Sequence, residues 1–264
     1  MARKKVLALV VFTMLIDTVP YYLLHASGLS LLPATSFPYL WVAGIFIPQG
    51  FFLPFIALLI AAGSMSEEYE QGTAEVLLSK PVSREEFFSG KYLGGFLLLV
   101  IVILLNATLT LTSATLAFGT QLALGVLPLV VLSQMFASTV FFSISFMSGE
   151  LVRRSSLSYV LASAVYFAST ITGFYLRFIY DLTGNVLYQH IDFYLPTTPI
   201  SSLPSLVAQP GLPADALTIM NLMGFGSTET SIPFCVVLIL AFAVGSILVA
   251  LAHFRWADVA KKVT

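Results

Sequence analysis

The chain has 264 residues, of which 58% are hydrophobic and only 9% are charged, against about 25% charged in soluble proteins. That balance excludes an ordinary soluble domain and points to the membrane. The net charge of −1 gives no basic field for nucleic acid, the single Cys235 excludes a disulfide within the chain, and His25, His190 and His253 lack metal-ligand spacing.

A helix crossing the bilayer needs about 20 mostly apolar residues. Runs of that kind lie at 6–26, 41–63, 92–118, 121–147, 157–180 and 232–254. They are continuous, as in GFLLLVIVILL at 95–105, whereas barrel strands alternate over segments of roughly ten residues. Helices satisfy their own backbone in lipid, so the expected fold is all-α. It is a polytopic membrane protein with six transmembrane helices in one transmembrane domain, 1–264, and no separate soluble domain. With both termini on one side, every Lys and Arg except Arg177 falls on that side. The excess of positive charge makes that side cytoplasmic.

The first run follows Arg3-Lys4-Lys5 and is longer than the roughly 7–15 residues of a signal-peptide core, so it reads as an anchored span. Asp17 lies about 18 Å along this helix from Lys5 at about 1.5 Å per residue. An acid at that depth is a functional-site candidate: it lines a translocation path, or it is neutral or bonded to Thr13 or Tyr21. Pro48 and Pro54 are expected to interrupt the second span. The third and fourth spans form a tight outer hairpin at Gly119-Thr120, and Ser148 to Ser156 make a short second cytoplasmic loop. Residues 181–231 are rich in Pro, Leu, Tyr and Phe. They are too apolar for a solvated linker and too broken by proline to span. An interfacial or re-entrant cover on the outer side is expected there. Gln49, Asn106 and Gln134 are expected to bond between helices.

Between the second and third spans stands a polar island, EEYEQGTAEVLLSKPVSREEFFSGKYLG, from Glu67 to Gly94. Ser83-Arg84-Glu85-Glu86 fits a capping box, with serine at the N-cap and glutamate three residues on. Pro81 disfavours helix at Lys80. One helix is therefore predicted to stop near Leu78–Ser79, the chain to turn at Lys80-Pro81-Val82, and a new helix to begin at Arg84. The first piece, from Thr73, carries an apolar patch rimmed by charge. It reads either as a solvated loop or as a docking knob for a cytoplasmic partner.

The pattern E-E-Y-E-x-G-T-A-E-x-L-L-S-x-P-V-S-R-x-E-F-x-x-G-K-x-L-G resembles the signature after the second span of ABC transporter permeases of the type 2 exporter class. The resemblance implies the six-span membrane subunit of an ATP-driven exporter in the cell membrane, working with a second copy or a related permease. It also implies a cytoplasmic ATP-binding subunit. The coupling helix would contact that subunit through Thr73, Glu75, Val76, Leu77, Leu78, Ser79, Lys80, Pro81 and Val82, with Glu67, Glu68 and Glu70 lining the approach. The chain would not be an enzyme and would carry no cofactor, ATP and Mg residing on the partner. In keeping with this, Ser89-Gly90-Lys91-Tyr92 lacks the earlier glycine and the hydroxyl of a P-loop. A secondary transporter or channel-like membrane protein driven by an ion gradient is the alternative. It needs intramembrane acids and broken helices, for which Asp17, Pro48 and Pro54 are the material.

Overall fold

A computed structural model describes residues 2–27, 34–79, 83–225 and 230–256. Helix is the only regular structure among the described residues. The helices are α1 (Ala2–Ser27), α2 (Trp41–Glu70), α3 (Thr73–Leu78), α4 (Arg84–Phe118), α5 (Leu127–Val152), α6 (Ser155–Thr183), α7 (Val186–Phe193), α8 (Thr197–Ala208), α9 (Ala214–Leu222) and α10 (Ile232–Trp256). Five helical stretches are long and apolar enough to cross a membrane: Trp41–Glu70, Arg84–Phe118, Leu124–Val152, Ser155–Thr183 and Ile232–Trp256. The helix α1 is 26 residues long and covers the first predicted run.

The chain divides into two compact units. The first comprises Met1–Leu53, Val100–Ala137 and Ser201–Pro233. Its packing explains why α2 continues past Pro48. Pro48 has no N–H for the carbonyl of Gly44, four residues back, which a helix interior would otherwise leave unpaired. Thr110 on α4 fills the vacancy, its Oγ1 donating to that carbonyl at 3.2 Å. Gln134 on α5 likewise donates to the Ile45 carbonyl at 3.0 Å, as predicted for an interhelical bond. The expected interruption of the second span is thus corrected: α2 runs unbroken from Trp41 to Glu70, because neighbouring helices re-satisfy the freed backbone. Tyr21 of α1 closes the same cluster by donating to the Leu40 carbonyl at 3.0 Å.

The predicted outer hairpin is looser than expected. The helix α5 starts at Leu127, not 121, after a 3-10 turn at Leu124–Val126. Positive φ at Gly119 and Ala123 bends the link. Gln121 holds it, accepting from the Trp41 amide at 3.3 Å and donating to the Gly119 carbonyl at 2.9 Å. The indole of the fully buried Trp41 donates to the Leu122 carbonyl at 2.9 Å.

The second unit comprises Pro54–Leu99, Ser138–Ile200 and Phe234–Thr264. Its core is aromatic: Tyr92 meets Phe142 and Phe146 edge-on with ring centroids 5.1 and 5.3 Å apart, and Phe88 meets Phe146 at 5.1 Å. Such edge-to-face pairs add to the area they bury. Gly149 lets α5 lie directly on α2, since a Cβ there would come within 2.6 Å of the Ala62 carbonyl oxygen. The short loop expected from Ser148 to Ser156 shrinks to Arg153-Arg154. The helix α5 continues to Val152, and Arg153, at φ 55°, ends it.

Within 181–231 the described residues form three short helices, α7, α8 and α9, with Pro204 inside α8. In the second unit α7 is tied to α6: Arg177 Nε donates to Asp192 Oδ2 at 2.9 Å, and Asp192 is buried. Thr198 donates to the Asp192 carbonyl at 2.6 Å, and the Ser169 and Thr197 hydroxyls share a bond of 2.9 Å.

Candidate coupling site

The polar island begins inside α2, which outlasts the predicted 41–63 span and ends at Glu70. Gln71 and Gly72 form the turn. Gly72 has φ +69°, the left-handed conformation that closes a helix and that glycine adopts without a Cβ penalty. The short helix α3 follows at once, six residues from Thr73 to Leu78. Its Ala74 is buried and its Val76 is 62% exposed. Ser79 folds back, its hydroxyl donating to the Val76 carbonyl at 2.8 Å. Lys80, Pro81 and Val82 lie outside the described residues, as do the side chains of Glu75, Leu77, Leu78 and Asp17.

Beyond that gap the predicted capping box is formed. The Ser83 amide donates to Glu86 Oε2 at 2.9 Å, and the Glu86 amide donates to Ser83 Oγ at 3.2 Å. The backbone bond from Ser83, then its side-chain bond, hold the carboxyl of Glu86 below the usual carboxylate range. Glu86 stands in the polar first turn of α4, ahead of its apolar stretch. Arg84 reaches the other way, to the carbonyls of Phe254 and Arg255 at 3.5 and 3.4 Å. A cation there complements the C-terminal end of α10. Arg255 pairs with Glu85.

The three glutamates expected along the approach to a partner each hold a bond within the chain. Glu67 accepts from the Tyr159 hydroxyl of α6 at 3.0 Å. Glu68 pairs with Lys91 of α4 and accepts from the Thr73 hydroxyl at the start of α3. Glu70 accepts from the amide of Ser155 at 2.9 Å and from its hydroxyl, at the start of α6. The last turn of α2 is thus laced to α3, α4 and α6. Sequence reasoning missed the residue beneath them. Glu150 of α5 is fully buried, and it accepts from the Tyr69 hydroxyl at 2.6 Å. Its other oxygen lies 3.1 Å from Arg153 Nη2 and 3.1 Å from His253 Nδ1 of α10. The available signal was the Glu150/Arg153 spacing of three, which pairs side chains on a helix. The chain there reads as loop, so the spacing carried no weight.

A family model described as ABC-2 family transporter protein matches residues 4–259. The chain belongs to the ABC-2 family. A comparison with curated proteins gives no significant match. Membership makes this a multi-pass membrane protein and a permease of the ABC transporter kind, a transport component that is not itself catalytic. The polar island therefore sits in an ABC-2 permease as a short helix at a left-handed turn, followed by a capped helix. The bond network below them reaches α5, α6 and α10.

Proposed function

We propose that this ABC-2 permease is the membrane subunit of an ATP-driven exporter in the cell membrane, and that α3 with residues 79–82 is its coupling element. A cytoplasmic ATP-binding subunit, carrying ATP and Mg, docks there, and two permease copies or a related pair frame the path. The observation that carries this reading is α3 itself. It is a separate helix of six residues with Val76 exposed, held between a glycine turn and a capping box. A helix this short is marginal in water on its own, and an apolar side chain offered between charged flanks suits an interface. In this reading α1 is the sixth crossing, both termini are cytoplasmic, and α7 to α9 cover the outer side. Asp17, carried by α1, is then placed to line the path.

ATP binding closes the partner subunits, α3 moves with them, and the permease pair changes the side to which it opens. The test is co-purification with a cytoplasmic ATPase, comparing the parent chain with Leu77→Asp/Leu78→Asp. The double variant is expected to lose the ATPase while its thermal unfolding stays near that of the parent. Retention of the ATPase by that variant would sink the coupling role of α3.

A further inference from the structure

The bonds that lace the end of α2 to its neighbours are unequal. Glu68 and Lys91 are both partly exposed, at 23% and 29% of their side chains, and solvent screens such a pair. Glu70 is exposed and Ser155 is half-buried. Glu150 alone among these carboxylates has no exposure. A carboxylate taken out of water is costly unless it is closely paired and hydrogen-bonded, and then losing one partner is felt strongly.

The partners of Glu150 come from the ends of different elements. Tyr69 is the penultimate residue of α2, four residues before α3 begins. His253 is in the last turn of α10. Arg153 stands directly after α5, and its guanidinium carbon also lies 4.5 Å over the Tyr69 ring. The arrangement is closed: Tyr69 touches Glu150 and Arg153, and Arg153 touches Glu150. Gly149, next to Glu150, adds the backbone contact of α5 with α2.

We infer that Glu150 is a positioning residue that locks the end of α2, and with it α3, to the ends of α5 and α10, so that the three move as one body. This rests on the coupling reading, in which α3 receives the motion of the partner ATPase. A purely structural Glu150 would contribute to stability and have no bearing on how α3 and α10 move together.

The experiment uses the full chain in nanodiscs, alone and with its co-purified ATPase, with spin labels at Gln71→Cys, at the end of α2 and outside the proposed docking residues, and at Trp256→Cys, both exposed positions, the labelled chain being diluted into unlabelled copies so that each distance lies within one chain. Cys235 is buried and leaves the labelling clean. Double electron–electron resonance reads the distance before and after ATP-Mg with vanadate. The parent is expected to give one narrow distance that nucleotide does not shift. Glu150→Gln and Tyr69→Phe are expected to lose that single narrow distance, in the permease alone as well as in the complex, and to show a nucleotide-dependent shift in the complex. Tyr69→Phe keeps the ring under Arg153 and serves where Glu150→Gln does not fold. The inference is overturned if both variants, or Tyr69→Phe where it is the only folded one, keep the parent's narrow distance with and without nucleotide. Absence of any ATPase from the parent preparation would instead count against the coupling reading, and the permease-alone distances would still judge Glu150.

Discussion

Two residues carry most of what distinguishes α2 and its neighbours from generic apolar helices. Gly149 permits contact that no larger residue allows, because its Cβ would meet backbone, not a yielding side chain. Gly149→Ala is expected to force α5 from α2 and cost about 1–3 kcal/mol, read as a lower thermal midpoint of the purified permease. Gly90→Ala is the matched control. Nothing lies within 4 Å of a Cβ at Gly90, so that change is expected to raise the midpoint, by up to about 1 kcal/mol of helix propensity. Thr110 offers a different test. Thr110→Val keeps the shape but leaves the Gly44 carbonyl without the donor that Pro48 denied it, at a cost of about 1–3 kcal/mol. A Thr110→Ser variant retains the hydroxyl and is expected to lose much less in the same unfolding measurement.

At the scale of elements, the break between α3 and α4 was written openly in the chain. Pro81 and the Ser83/Glu86 pair fixed both helix boundaries, since a proline and a reciprocal cap act through local geometry alone. Ser83→Ala is expected to speed amide exchange over the first turn of α4 by a few-fold, the usual result of losing a serine cap, and to leave exchange in the middle of α4 unchanged. The acid limit of this cap follows from Glu86. Its carboxyl is held below the usual range, so the cap's contribution is complete above the usual carboxylate pKa. It is lost as pH falls through the lowered value. What stayed illegible is equally physical. The continuity of α2 past Pro48 depends on Thr110, 62 positions beyond Pro48 in the chain. The role of Glu150 depends on Tyr69 and His253, distant in sequence and adjacent only after folding. Local pattern reports local geometry, and neither partner set is local.

For the whole molecule, hydropathy and the distribution of Lys and Arg specify a topology that is directly testable. With six crossings, Val76→Cys is expected to react with a membrane-impermeant maleimide only from the cytoplasmic side, and Leu187→Cys only from outside. A reporter fused ahead of Met1 is expected to be cytoplasmic. Should that reporter lie outside while Val76→Cys stays cytoplasmic, α1 does not cross and five crossings remain. Apolar runs of this length leave little freedom in the number of long helices. They leave much more freedom in how the ends are fastened: the runs at 41–63 and 92–118 lie within α2 and α4 and the start of α4 at Arg84 was legible from its cap, whereas the extension of α2 to Glu70 was not.

Gly72 has a mechanical consequence. The helix α3 has six residues, hence is a rod of about 9 Å at 1.5 Å per residue. It is hinged on one pair of backbone torsions, stiffened by the strut from Thr73 to Glu68. A rotation of roughly 10° at that hinge carries the far end of such a rod only about 1.5 Å, less than the play of a loose side chain. So short a lever has low gain, and in the proposed coupling role a force applied at its tip reaches α2 undiminished, with only a small torque. The stiffness of the elbow, more than the length of the arm, then sets how much of a movement reaches the membrane.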